Sequence, residues 1–146
     1  MSDQAPPVLR RRDAAQATLD HFRGKRFRFG SNDCVRMVAW HLRKLGHKVK
    51  LPPAGSYRSA RSALKALRAR GHASLAAALD AQGLERIAPA AAIVGDIVMG
   101  PGDAGFEALG VALGNGRIVG YHEDLAGAEV LQPFEAPIAA WKADPK

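Results

Sequence analysis

The chain contains one cysteine, Cys34. It closes the run Gly30-Ser31-Asn32-Asp33-Cys34, a turn that leads into the helix-forming stretch VRMVAWHLRKLG. Asp33 is a strong N-cap residue, which puts Cys34 in the first turn of the helix. Unpaired backbone N–H groups and the positive end of the helix dipole favour a thiolate there. That is a common placement for a cysteine nucleophile, with Asn32 and Asp33 as supporting groups. The competing interpretation is structural, because free cysteine also packs as a small, inert hydrophobe.

A thiol nucleophile needs a base within hydrogen-bond reach. The best candidate is His122, with Glu123 and Asp124 next to it as groups that could orient the ring. The plainer alternative is a loop histidine in a polar turn. His41 is seven residues after Cys34, two turns along the same helix and roughly 10 Å away, too far for a direct pair. His21, His47 and His72 fall near helix ends or in loops, and no chemistry is assigned to them. Asp96, beside Gly95, suits a structural turn acceptor better than an acid or a metal ligand. No His/Asp spacing matches a metal site, and a single cysteine excludes an internal disulfide and a multi-cysteine zinc centre. No metal and no cofactor is expected.

The elements that must position Cys34 can be read around it. Cys34, Val38, Leu42 and Leu45 recur at near-helical spacing, with Met37 beside them, and Gly46 can end the helix in a left-handed conformation. Residues 1–12 read as a flexible basic arm, followed by a short helix capped by Asp13, with Ala15, Leu19 and Phe22 as its apolar face. A third helix is predicted from about Ser59 to Arg70. Its buried stripe is Ala60, Ala63, Leu64 and Leu67, and Arg61, Lys65 and Arg68 form a basic opposite face. A fourth helix spans Ser74–Gln82, and Leu84–Ala92 reads as irregular. Short strands follow at Asp96–Met99, Ala108–Leu113, Arg117–Tyr121 and Ala128–Leu131, with Asn115-Gly116 as a hairpin turn. Trp141 is expected to anchor the tail on the core. Helices first and an antiparallel sheet second predict one α+β domain over residues 13–146.

The composition, 47% apolar and 24% charged, is that of an ordinary globular domain. No apolar run is long enough to span a membrane, and no secretory h-region follows the first basic residues, so synthesis in a cytoplasm is expected. Charge is unevenly spread. Residues 1–71 hold 17 Lys+Arg and 4 Asp+Glu, a balance of +13, whereas residues 72–146 hold 4 and 10, a balance of −6. This asymmetry points either to an acidic partner or to two halves that attract each other. Aromatic residues are only 6%, which disfavours base stacking and therefore nucleic acid as the partner.

In order, the motifs resemble those of NlpC-type, papain-like cysteine peptidases, which cleave amide bonds in bacterial cell-wall peptides. They are GSNDC at Gly30–Cys34, GDIV at Gly95–Val98 and LGVALGNGRIVG at Leu109–Gly120. The chain as a whole is similar to a family of short proteins from phage and prophage tail gene clusters. That likeness adds Tyr-Arg-Ser-Ala at Tyr57–Ala60 and Ala-Trp at Ala140–Trp141, and it covers roughly residues 15–141. It implies a papain-like fold with N-terminal helices packed on a small antiparallel sheet. In the active peptidases the catalytic histidine stands where this chain has Ala108, and a third polar residue stands near Gly120. The resemblance therefore implies a kept nucleophile position and a degenerate base. Its first implication is a structural tail-tip, baseplate or tail-assembly component of the virion, whose partners are other tail proteins. The second is a Cys34-dependent hydrolase acting on peptidoglycan peptides during phage entry, with His122 as its base. A third possibility, a binder of anionic polymer or nucleic acid, rests on the basic first half alone.

Overall fold

Local capping chemistry starts three of the four helices. In the computed structural model, which describes residues 5–103, 105–122, 125–133 and 135–146, α1 spans Pro7–Phe22 and α2 Cys34–Lys44. Helix α3 spans Ala60–Ala69 and α4 Leu75–Ala81. The Asp33 carboxylate accepts the Arg36 N–H to cap α2. Ser59 and Ser62 form a reciprocal capping box at α3, and Ser74 accepts the Ala77 N–H at α4. Helix α1 has no side-chain cap and starts instead on proline, whose fixed φ suits the first turn.

Helix α1 corrects the expectation of a flexible arm over residues 1–12. It begins at Pro7, six residues before Asp13, so Asp13 lies inside the helix and does not cap it. Arg11, expected in the arm, is only 3% exposed. Residues 1–4 lie outside the described residues.

The second half forms a six-stranded antiparallel sheet. The strands are β1 (Glu85–Ile87), β2 (Ile97–Asp103), β3 (Phe106–Gly114), β4 (Arg117–Gly120), β5 (Glu129–Leu131) and β6 (Ala139–Lys142), in the spatial order β1-β6-β2-β3-β4-β5. The hairpin turn is where the sequence placed it. Asn115 and Gly116 have φ of 55° and 75°, the left-handed pair that a tight two-residue turn requires. Two strands were not anticipated. Leu84–Ala92 holds β1, and the chain end holds β6, which lies between β1 and β2. Both are short and lack apolar alternation, so only pairing with distant partners defines them.

Side-chain alternation divides the sheet into two faces. Ile97, Met99, Leu109, Val111, Val119 and Trp141 join one large core cluster with the helices. Helix α2 contributes Met37, Val38, Leu42 and Leu45, each at most 2% exposed, to this cluster. Val98, Ala112 and Ala140 form a smaller cluster on the other face. Trp141 anchors the end of the chain as expected. It is fully buried, and its indole N–H donates to Asp80 Oδ1 at 2.8 Å.

A buried ion pair joins the two halves. Arg11 Nη1 meets Asp96 Oδ1 at 2.6 Å, with side-chain exposures of 3% and 2%. The second guanidinium nitrogen donates to Asp144 at 2.8 Å. Asp96 also accepts the N–H groups of Ile93 and Ala143, both at 2.9 Å. Its predicted role as a turn acceptor is thus observed, and the pair with Arg11 is added to it. Gly95 is required beside this contact, because its φ is +89° and a Cβ there would lie 2.9 Å from Arg11 Cβ. Removing one partner of a buried pair typically costs about 3–5 kcal/mol. Arg11→Ala should therefore lower the unfolding free energy by about that much in denaturant titrations. Arg12→Ala, at an exposed side chain, should change it by no more than about 0.5 kcal/mol.

Candidate active site

The Cys34 turn is built on Asp33 rather than on the thiol. Asp33 is fully buried, and three donors converge on its carboxylate. The Gly30 N–H and the Tyr57 hydroxyl donate to Oδ2 at 2.8 Å and 2.7 Å, and the Arg36 N–H donates to Oδ1 at 2.8 Å. The Tyr57 segment lies so close that a Cβ on Gly30 would stand 2.5 Å from the Tyr57 carbonyl oxygen, and Gly30 has a φ of +85°. Only glycine fits there. Arg36 completes the packing, with its guanidinium 5.7 Å from the Tyr57 ring centroid and one nitrogen donating to Pro52 O.

Cys34 follows directly and is 8% exposed. Burial is the main influence on its thiol, and the negative charge of Asp33 acts in the same direction. The N–H groups of Leu109, Cys34 and Val35 favour the thiolate but do not compensate, and the pKa is pushed up to about 12. The helix N-terminus thus has the direction expected from the sequence, and desolvation outweighs it.

A cavity of about 560 Å³ opens beside the thiol. Phe27, Phe29 and Phe106 form an aromatic wall, and Phe27 and Tyr121 meet edge-on with ring centroids 5.2 Å apart. Cys34, Glu107 and His122 line the same cavity. The structure thus brings Cys34 and His122 to one space, with His122 exposed. Glu123 and Asp124, the proposed orienting groups, lie outside the described residues. Asn32 is half-buried, and its backbone carbonyl accepts the Arg28 N–H at 3.0 Å.

The two positions singled out by the peptidase resemblance carry no polar side chain. Ala108 lines the cavity and offers no base. A Cβ on Gly120 would stand 3.2 Å from Ile118 Cδ1, and Ile118 packs with the small cluster on the sheet face away from the helices. Tyr121, the next residue, packs against the main core cluster. Its hydroxyl is buried without a hydrogen-bond partner among the described residues. Burial, then the charges of Asp33 and Cys34, push the Tyr121 pKa up. The sequence reading assigned no role to Tyr121 or Glu107, and it took in Tyr57 only as the first residue of the Tyr57–Ala60 motif. The alternation of β4 beyond Val119 was the available signal for Tyr121, and nothing local marks Tyr57 as a partner of Asp33.

Three of the other histidines, His41, His47 and His21, make structural contacts. His41 is fully buried, with Nε2 2.8 Å from Gly95 O and Nδ1 3.2 Å from Thr18 Oγ1. Desolvation lowers its pKa against the opposing effect of its hydrogen bonds, and Nε2–H donates to the Gly95 carbonyl, which can only accept. His47 lies 2.6 Å from the Asp144 carbonyl and helps fasten the tail. His21 stacks on Trp40 with ring centroids 4.6 Å apart. Arg61, Lys65 and Arg68 are exposed, as expected for a basic face. Among the described residues, no group of three or more His, Cys, Asp or Glu is placed to hold a metal ion. Among the described residues, no helix is long and apolar enough to cross a membrane.

Two outcomes follow. A cysteine in an unfolded chain has a pKa near 9.0, so at pH 8 the folded protein carries roughly a thousandth as much thiolate. Alkylation of Cys34 by iodoacetamide should therefore be slower than in denaturant by about that factor. Rapid labelling of the native protein at pH 8 would contradict the buried state. Tyr57→Phe removes one donor from Asp33 and should cost about 1–3 kcal/mol in an unfolding titration, because it leaves a buried charge less satisfied.

Comparison with curated proteins finds no significant relative. Residues 9–143 match a family described as a domain of unknown function. The matched span starts inside α1 and ends one residue after β6, so it takes in the Arg11–Asp96 pair, the Asp33 turn and the whole sheet. Over that span, the chain belongs to the family DUF6950.

Proposed function

We propose that this protein is a non-catalytic interaction module, a structural component of a phage tail tip, baseplate or tail-assembly complex, built on a degenerate NlpC-type papain-like fold. The observation that carries this reading is the state of Cys34. Its thiol is buried and its pKa is pushed up to about 12. A hydrolase needs the opposite, a thiolate that forms near neutral pH beside a base. The residue at the resembling base position is Ala108, and the place of the third polar group is Gly120, where a side chain would point away from the helices. The order of motifs, from the Gly30–Cys34 turn to Ala140–Trp141, supports the tail-cluster part of the reading. Its partners would then be other tail proteins and its location the virion. A fold can persist without the chemistry of its relatives, because activity resides in the site.

The test is direct. Purified protein should not cleave peptidoglycan stem peptides. Cys34→Ala should fold, lose about 1–2 kcal/mol of stability from the vacated volume, and bind tail partners as the parent does. Cleavage that disappears in Cys34→Ala would refute the proposal.

One observation favours a second reading, a Cys34-dependent amidase or endopeptidase. Cys34, Glu107 and His122 line a single cavity of about 560 Å³. On this reading a bound cell-wall peptide brings His122 to the thiol, as catalytic hydrogen bonds can tighten only in the complex. Cleavage abolished equally by Cys34→Ser and His122→Ala would support it. Cleavage indifferent to His122 would remove it.

A further inference from the structure

A second concavity shares Leu109 with the cavity at Cys34 but is not lined by the thiol, and it is bounded by α2, α3, α4 and the segment 48–52. It is an open groove of about 630 Å³. Val35, Val38 and Leu42 of α2 line it together with Leu67 of α3 and Leu75 and Leu79 of α4. No Phe, Tyr or Trp lines it, and His72 is the one ring at its edge, which makes it a poor platform for stacking successive bases. Its volume is within the usual range of binding pockets, and its apolar lining is the usual source of affinity.

One wall is fixed before any ligand arrives. Segment 48–52 has no regular structure, yet side chains hold three of its five carbonyls. Gln82 Nε2 donates to Lys48 O at 2.7 Å. Arg43 donates to Val49 O through Nε and Nη2, at 3.2 Å and 2.6 Å. Arg36 donates to Pro52 O. The wall formed by α3 is held more loosely. Only Ala63 of that helix is buried, and Leu64 and Leu67 remain half-buried.

The charges at the groove have one sign. Lys48, Lys50 and Arg70 line it, and no Asp or Glu does. All three cations are exposed and make no ion pair among the described residues. Arg11 and Arg23 of the positive first half are paired with acids of the second, whereas these three are not.

We propose that the groove docks an acidic amphipathic segment of a partner protein. Apolar side chains of that segment enter between α2 and α4, and its carboxylates meet Lys48, Lys50 and Arg70. This is the helix-in-groove mode, in which apolar anchors supply affinity and flanking charges supply orientation and rate. The proposal rests on the interaction-module reading and gives that reading a location.

The probe is a short capped peptide with leucines at positions i, i+3, i+4 and i+7 and glutamates elsewhere. Its binding to the full chain is followed by fluorescence anisotropy. Saturable binding is expected, weakening as salt rises. The double variant Lys50→Glu/Arg70→Glu should weaken it by at least about tenfold, and so should serine in place of the leucines. A lysine-for-glutamate peptide should not bind. Arg61→Glu/Lys65→Glu removes the same charge outside the groove and should leave the affinity within about twofold. Equal losses in the two double variants would overturn the proposal by showing attraction to overall charge. Binding of oleate in the groove without peptide binding would also overturn it, in favour of an acyl carboxylate. Absence of binding would overturn the groove assignment alone, leaving the interaction reading to other surfaces. Cleavage of peptidoglycan peptides would refute that reading without bearing on peptide affinity.

Discussion

The fold depends on a buried guanidinium–carboxylate contact between the first helix and the start of the sheet. Arg11 in α1 pairs with Asp96, which opens β2, and reaches Asp144 beyond β6. Asp96 in turn holds the Ala143 N–H, and the last residues are fastened by Lys146 N–H to Leu45 O at 2.7 Å. One carboxylate thus ties the first helix, the turn into the sheet and the tail to one another. Burial opposes charge on Arg11, but its bonds to Asp96 and Asp144 prevail and raise its pKa further. Such a pair need not add net stability over a well-packed apolar alternative. It does penalise any arrangement that separates its partners, and so it specifies how helices and sheet dock.

The same logic governs the cysteine turn. A carboxylate at a helix start can satisfy several backbone donors at once, and Asp33 does so while accepting the Tyr57 hydroxyl. This network fixes the 27–34 turn against the 55–57 segment. The fixed negative charge sits next to the thiol and opposes its ionisation. A turn well suited to hold a helix rigidly is therefore poorly suited to activate the cysteine after it. Structural satisfaction of Asp33 and suppression of Cys34 are one electrostatic arrangement.

Charge asymmetry along the chain is partly consumed by folding. Arg11 and Arg23 reach across to Asp96, Asp144 and Glu129. Cations along α3 and around the groove of Lys48, Lys50 and Arg70 are among those that remain exposed to meet other molecules. Attraction between the halves and an acidic partner are thus not exclusive, since different residues serve each.

Local chemistry determined much of this protein. Capping by Asp33, the apolar stripe of α2, the left-handed Gly46 and the Asn115-Gly116 turn were all legible, because each depends on residues within a few positions. The α+β order was legible for the same reason. Only the tertiary structure decided the rest. Strands β1 and β6 carry little strand propensity and exist through pairing across more than fifty residues of chain, as between Glu85 and Lys142. Arg11 resembled an arm residue because nothing near it in sequence announces Asp96. At Cys34, the sequence correctly placed a thiol at the positive end of a helix, and the cavity beside it does bring in His122. What it did not contain was the depth of burial and the full set of partners around Asp33. Those depend on the packing of α2 against β3 and the Tyr57 segment, and there desolvation outweighs the helix dipole.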